Sequence, residues 1–243
     1  MFNWFGSSSC TVDPITRQWI ERRWRWLTDE FGSDVMIDAP NVLPSEEFFP
    51  DKYDRSDDAV RTLTRRVCQY MGVEASQIDL QFYNNLRRPY LVNEAGDGIG
   101  EAVGTYHQGD SRFVVRLERS AFEQPMALVA TIAHELAHVR LLGEGRIGRD
   151  EFDNELLTDL TTVFMGMGIF RANSPGYHLA RSAHWPGTDV PKPEYMTTPM
   201  YGYALAYRCW LREEPLPKWR RHLGPGVRAE FKQALRFLQT LTS

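Results

Sequence analysis

The chain is poor in cysteine, poor in histidine and without a strong charge of either sign. Its three cysteines, Cys10, Cys68 and Cys209, stand far apart in 243 residues and are odd in number. That excludes a disulfide framework and a Cys-x-x-Cys metal knuckle, and it fits a reducing compartment. A formal net charge of -4, from 28 basic and 32 acidic residues, supplies no global field for gripping nucleic acid or an anionic membrane. The opening "MFNWFGSSSC" has no basic leader and too short an apolar run before Cys10 for a secretory signal. No other apolar run is read as approaching transmembrane length. These absences predict a soluble, cytoplasmic protein with neither nucleic-acid nor membrane partners.

What is present is an ordinary folding composition, 42% hydrophobic and 25% charged. It suits one domain over 1–243, divisible at most into lobes 1–142 and 143–243. Asp13-Pro14 reads as a helix N-cap followed by proline at the first helical position, with Gly32 as the stop. Ile20, Trp24, Leu27 and Phe31 then form one inward stripe, so "ERRWRW" is read as an amphipathic helix rather than an RNA- or membrane-binding face. A second helix is expected over Ser56–Met71, stopped by Gly72. The alternation of "IDLQFY" predicts a strand over 78–83, and "NEAGDGIG" reads as a flexible loop. Residues 101–118 read as a hairpin whose second strand alternates Phe113, Val115 and Leu117 against Val114, Arg116 and Glu118. Helices are expected over 124–142, 151–170, 199–214 and 225–241. A small mixed sheet followed by helices makes the fold class α+β.

Two of the six histidines occur in "TIAHELAHV". His134 and His138 are four residues apart, so on a helix both imidazoles leave one face, close enough to share a tetrahedral zinc ion. Glu135, beside the first histidine, is placed to act as general base on a water at the metal. Between Met126 and Leu142 the only ionisable residues are these three and Arg140. The helix should therefore be buried, and its polar groups need partners, because an unpaired buried polar group costs about 1–3 kcal/mol.

A catalytic zinc takes three protein ligands and keeps one position open. In "DNELLTDLTTVF", Glu155 and Asp159 share a helix face, so Glu155 can be the third ligand and Asp159 the carboxylate behind a ligand histidine. Glu144 is an alternative by resemblance to the metzincins, which place their third histidine six residues after the second, although Leu141 stands where that family has a chain-turning glycine. Glu151 and Asp153 are further alternatives.

"HELAH" followed by "NELLTD" resembles the gluzincin metallopeptidases, the thermolysin-like group, over about residues 101–170. The resemblance implies a zincin-like fold, zinc ligands His134, His138 and Glu155, and Glu135 as general base. It also implies that Asp159 orients His134, that Asn154 supports His138, and that extended substrate pairs with the strand Phe113–Leu117.

A zinc-activated water attacking a carbonyl leaves an oxyanion that needs a donor. Tyr203 and His184 are the named candidates, with Tyr201 and His178 beside them. The proline- and glycine-rich stretch 172–199 is either a lid or a plain connection. The sequence thus predicts a zinc metallopeptidase acting on a peptide or protein. An amide hydrolase for a non-protein substrate and a metal-stabilised binding module are the alternatives.

Overall fold

A computed structural model describes residues 9–84, 112–174 and 183–241, together with the backbone of 91–92, 98–99 and 104–108. Helix α1, Pro14–Phe31, starts where the Asp13 carboxylate accepts from the amides of Ile15 and Thr16, each at 3.0 Å. It buries Trp19, Ile20, Trp24 and Leu27, so three of the four expected stripe residues are core, and the fourth, Phe31, is partly buried against it. A short helix α2, Ser33–Asp38, follows. Helix α3, Asp57–Met71, is capped by Ser56 and closed by Gly72 at φ 64°. There the Val73 amide reaches back to the Cys68 carbonyl at 2.9 Å, and a left-handed residue is needed to bring it round.

Strand β1, Ile78–Tyr83, is as expected. Strands β2, Leu91–Val92, and β3, Gly98–Ile99, form a small ladder, with β2 just before the glycine-rich stretch expected to be a loop and β3 inside it. Strands β4, Gly104–Gln108, and β5, Phe113–Glu118, form the expected hairpin, pairing Gln108 with Phe113. The sheet order is β1-β5-β4, with β1 parallel and β4 antiparallel to β5. This corrects one expectation. β5 is hydrogen-bonded on both sides and has no free edge to offer a substrate, so on the hairpin side the described edge strand is β4.

Helix α4, Pro125–His138, continues into a π-helical turn, Val139–Gly143. Its seven apolar residues from Leu128 to Ala137 that face the core are all at or below 3% exposure. By length and composition Pro125–Gly143 could cross a membrane, contrary to the sequence reading. The reason it is apolar all round is packing: α4 meets α3 on one side, α5 and α6 on another, and β4 on the sheet side.

The helix expected over 151–170 is two helices, α5, Asn154–Phe164, and α6, Gly168–Asn173. Gly166 breaks them at φ 85°, its carbonyl accepting from the Val42 amide at 2.9 Å. A Cβ there would collide with the Pro40 carbonyl, so the chain approaches more closely than any side chain permits. A ribbon of β6, Ala183–His184, and β7, Pro191–Lys192, leads to α7, Thr198–Leu211. Helix α8, Pro225–Thr240, packs on α7 so closely that a Cβ at Gly202 would strike Glu230. One hydrophobic cluster runs from α1 to α8, across the expected boundary between lobes.

Candidate metal centre

Helices α4 and α5 lie side by side and bring their polar faces together. His134, Glu135 and His138 are 7%, 4% and 8% exposed, so the α4 face that carries them is nearly closed to water. The His134 Nε2 is 3.1 Å and the His138 Nε2 3.5 Å from the Glu155 Oε2. The three ligand atoms all lie within 4.8 Å of one another. Ligands about 2.0–2.1 Å from a tetrahedral zinc ion are separated by about 3.3–3.4 Å, so the two distances from Glu155 bracket what the ion requires.

The far side of each ring fixes which nitrogen faces the cluster. His134 Nδ1 meets the Asp159 Oδ1 at 2.9 Å. Asp159, an acceptor when ionised, accepts from the Nδ1–H and so turns Nε2 toward Glu155, to which it donates when protonated and beside which it is free to ligate when it is not. His138 Nδ1 meets the Thr158 Oγ1 at 3.2 Å. The Thr158 hydroxyl donates its own proton to the Asn154 carbonyl at 2.8 Å, so only its lone pair remains for the Nδ1–H of His138. Both rings therefore turn Nε2 to the cluster, and loss of the Nε2 proton leaves the tautomer a metal needs. Asn154 thus serves His138 through its backbone and through Thr158, whereas its side-chain oxygen is buried with no hydrogen bond among the described residues.

Asp159 is fully buried and meets His134, Arg171 and the Met196 amide among the described residues. Its Oδ1 accepts from Arg171 Nε at 2.9 Å as well as from His134, and its Oδ2 accepts from the Met196 amide at 3.0 Å. Burial alone would raise its pKa, but the charge of Arg171 and the hydrogen bond with His134 hold it down at about 2. Burial disfavours the His134 imidazolium, and the hydrogen bonds with Asp159 and Glu155 outweigh it and raise the pKa to about 9. For Glu155, burial is overcome by hydrogen bonds from both histidines, and its carboxyl sits far below the usual range.

Glu135 differs from its neighbours. It forms no hydrogen bond or ion pair among the described residues, and burial raises its pKa against the pull of His134 and His138. A carboxylate with a raised pKa and no fixed partner can accept a proton and hold it for a short time.

The alternative third ligands are otherwise engaged. Glu144 pairs with Arg140 at 3.1 Å and with Arg146 at 2.8 Å. Asp153 accepts from Trp19 Nε1 at 2.5 Å and from Arg23, which also holds Glu151. Of the expected oxyanion donors, Tyr203 gives its hydroxyl to Glu21 on α1 at 2.6 Å, and His184 is exposed on β6. Neither meets the cluster by a hydrogen bond, ion pair or ring contact. Tyr201 is buried beside Asp159 and Arg171, behind the ligands, and His178 lies outside the described residues.

Thr158, Arg171, Tyr195 and Met196 were not read from the sequence as site residues. The Tyr195 ring is tilted over His134, centroids 5.9 Å apart, with the Arg171 guanidinium 5.6 Å from its own centroid. Burial, then the charge of Glu155, pushes its phenol above the ordinary value. Position offered a signal for Thr158, which is three residues after Glu155 and so shares its face. Arg171 and Tyr195 carried no local signal. Compared with known proteins, the chain matches no protein-family model, no curated protein and no solved structure.

Proposed function

We propose that the protein is a zinc-dependent hydrolase that cleaves peptide bonds, with a zincin-like fold of gluzincin type. The observation that carries this reading is the convergence of His134 Nε2, His138 Nε2 and Glu155 Oε2, with both Nδ1 atoms tied off behind them. His134, His138 and Glu155 would hold the metal. When bound, zinc supplies Lewis acidity, which acidifies water and polarises a carbonyl.

The chain's own residues do the rest. Glu135 takes the proton of the attacking water and returns it to the leaving nitrogen, which its raised pKa and lack of a fixed partner suit it to do. Asp159 and Thr158 keep both rings in the ligating tautomer. Tyr195 packs its ring against that of His134, and it takes the role of oxyanion donor that Tyr203 and His184 do not fill. Three free cysteines are consistent with a cytoplasmic location.

Metal analysis beside a peptide-cleavage assay tests the reading. The expected result is about one zinc per chain in both the parent protein and Glu135→Gln, with cleavage lost only in the variant. Glu155→Ala should lose zinc and Glu144→Ala should retain it. A parent protein that binds no zinc, or a Glu135→Gln variant that cleaves at the parent rate, overturns it.

A further inference from the structure

A groove of about 630 Å³ lies between the first turns of α1, Phe152 and the ribbon that carries Trp185 and Thr188. Its walls are aromatic and held in place. Trp19 is fixed by Asp153 and packs on Trp185, ring centroids 5.6 Å apart. The Arg23 guanidinium, fixed by Asp153 and Glu151, lies 5.6 Å from the Trp26 ring and 6.0 Å from Phe152. Phe152 is nevertheless 46% exposed, and Arg22 on the rim has no ion pair among the described residues. Folding gains little by leaving a bulky ring on a rigid wall in water, whereas an incoming ring gains a stacking face that costs no reordering.

Two separate stretches of chain join this groove to the metal centre. Phe152 is three residues before Glu155, so their Cα atoms are no more than about 11 Å apart. On the other wall, Trp185 and Thr188 belong to the ribbon that runs on into Tyr195, above His134. The volume lies within the range of ligand sites, about 300–1,000 Å³, and is large enough for one bulky side chain and its neighbour.

We propose that this groove is a specificity subsite for the peptide substrate, accepting a bulky aromatic side chain a few residues from the cleaved bond, with an adjacent carboxylate reaching Arg22. The inference rests on the peptidase reading above. Among the described residues Arg22 and Arg23 are the only charged ones lining the groove, and because Arg23 is already paired with Glu151 and Asp153 it is Arg22 that favours an acidic neighbour over a basic one. Stacking alone would also suit a nucleobase, but the Glu151 and Asp153 carboxylates under Arg23 and the net charge of -4 oppose a phosphate chain.

The test measures binding to zinc-loaded Glu135→Gln protein, where no turnover intervenes. The probes are two labelled synthetic decapeptides, alanine- and serine-based, that differ only in carrying Tyr-Glu or Ala-Gln at the same two central positions. A labelled single-stranded deoxyoligonucleotide is the third probe. The Tyr-Glu peptide should bind about tenfold more tightly than the Ala-Gln peptide. Phe152→Ala should remove about 3- to 10-fold of that preference, while Arg22→Gln should remove only the part due to glutamate. Both substitutions are at exposed positions, and far-ultraviolet circular dichroism and zinc content verify that each variant is folded. Equal binding of the two peptides, a preference untouched by both variants, or competition by the oligonucleotide for this groove overturns the subsite. Peptide cleavage by the parent with no Tyr-Glu preference sinks the subsite alone. Preferential binding without any cleavage by the parent sinks the peptidase reading and leaves the groove as a peptide-binding site.

Discussion

His134 and Met196 are 62 residues apart in the chain and are held by opposite oxygens of one carboxylate, that of Asp159. The side chain that orients a candidate ligand therefore also fastens the segment carrying Tyr195. Asp159→Asn keeps the size of the group and removes its charge. Zinc affinity is expected to fall about 10- to 100-fold, as for other partners of ligand histidines. The Met196 amide should also exchange faster with solvent. Zinc titration and hydrogen exchange measure the two effects, and an unchanged Met196 amide would separate the strap from the ligand.

Thr158 stands behind His138 as Asp159 stands behind His134, but as a neutral group. Thr158→Val is nearly isosteric and leaves the Nδ1–H of His138 without an acceptor, a loss of about 1–3 kcal/mol for a buried donor. Zinc affinity should drop about tenfold or more. Thr158→Ser retains the hydroxyl and should bind zinc nearly as the parent does. Equal affinities for the Val and Ser variants would remove Thr158 from the site.

Tyr195→Phe separates ring from hydroxyl. If the phenol donates to the oxyanion, kcat should fall by about 100-fold or more, with zinc content intact and KM little changed. A variant with parent kcat would leave the ring as a wall of the cleft and nothing more.

Gly166 is remote from the chemistry but sets the angle between α5, which carries Glu155 and Asp159, and α6, which carries Arg171. Gly166→Ala forces a Cβ onto the Pro40 carbonyl at a positive φ. The loss of stability should exceed about 1 kcal/mol, which lowers the Tm by about 2–4 °C per kcal/mol in a chain of this size. Calorimetry on zinc-free protein reads this without interference from the metal.

Much of the local structure was legible in the sequence because it is locally caused. Asp13-Pro14 starts α1 and Gly72 ends α3 through atoms a few residues away, and the alternation of 113–118 marks a half-buried strand whatever its neighbours are. The spacing His134, Glu135, His138 places three groups on one helix face, and Glu155 and Asp159 share another, so both halves of the candidate site could be read before they were brought together.

Periodicity tells which face of a segment is apolar, but not which distant segment covers it. The strand 113–118 looks the same from sequence whether it lies at an edge or in the middle, and only its pairing with β1, about 35 residues earlier, made it central. The break at Gly166 comes from the approach of Pro40, more than a hundred residues away, so an apolar run over 151–170 read as one helix. The same limit applies to the site. The sequence by itself determined a two-histidine helix with an adjacent carboxylate and a second helix with two more. The tertiary structure decided that Glu155 rather than Glu144 faces both Nε2 atoms, that Thr158 stands behind His138, and that Tyr195 and not Tyr203 lies over His134. Each of those choices depends on how α5 and the strap before α7 pack against α4, and that packing is set by the whole core rather than by any one segment.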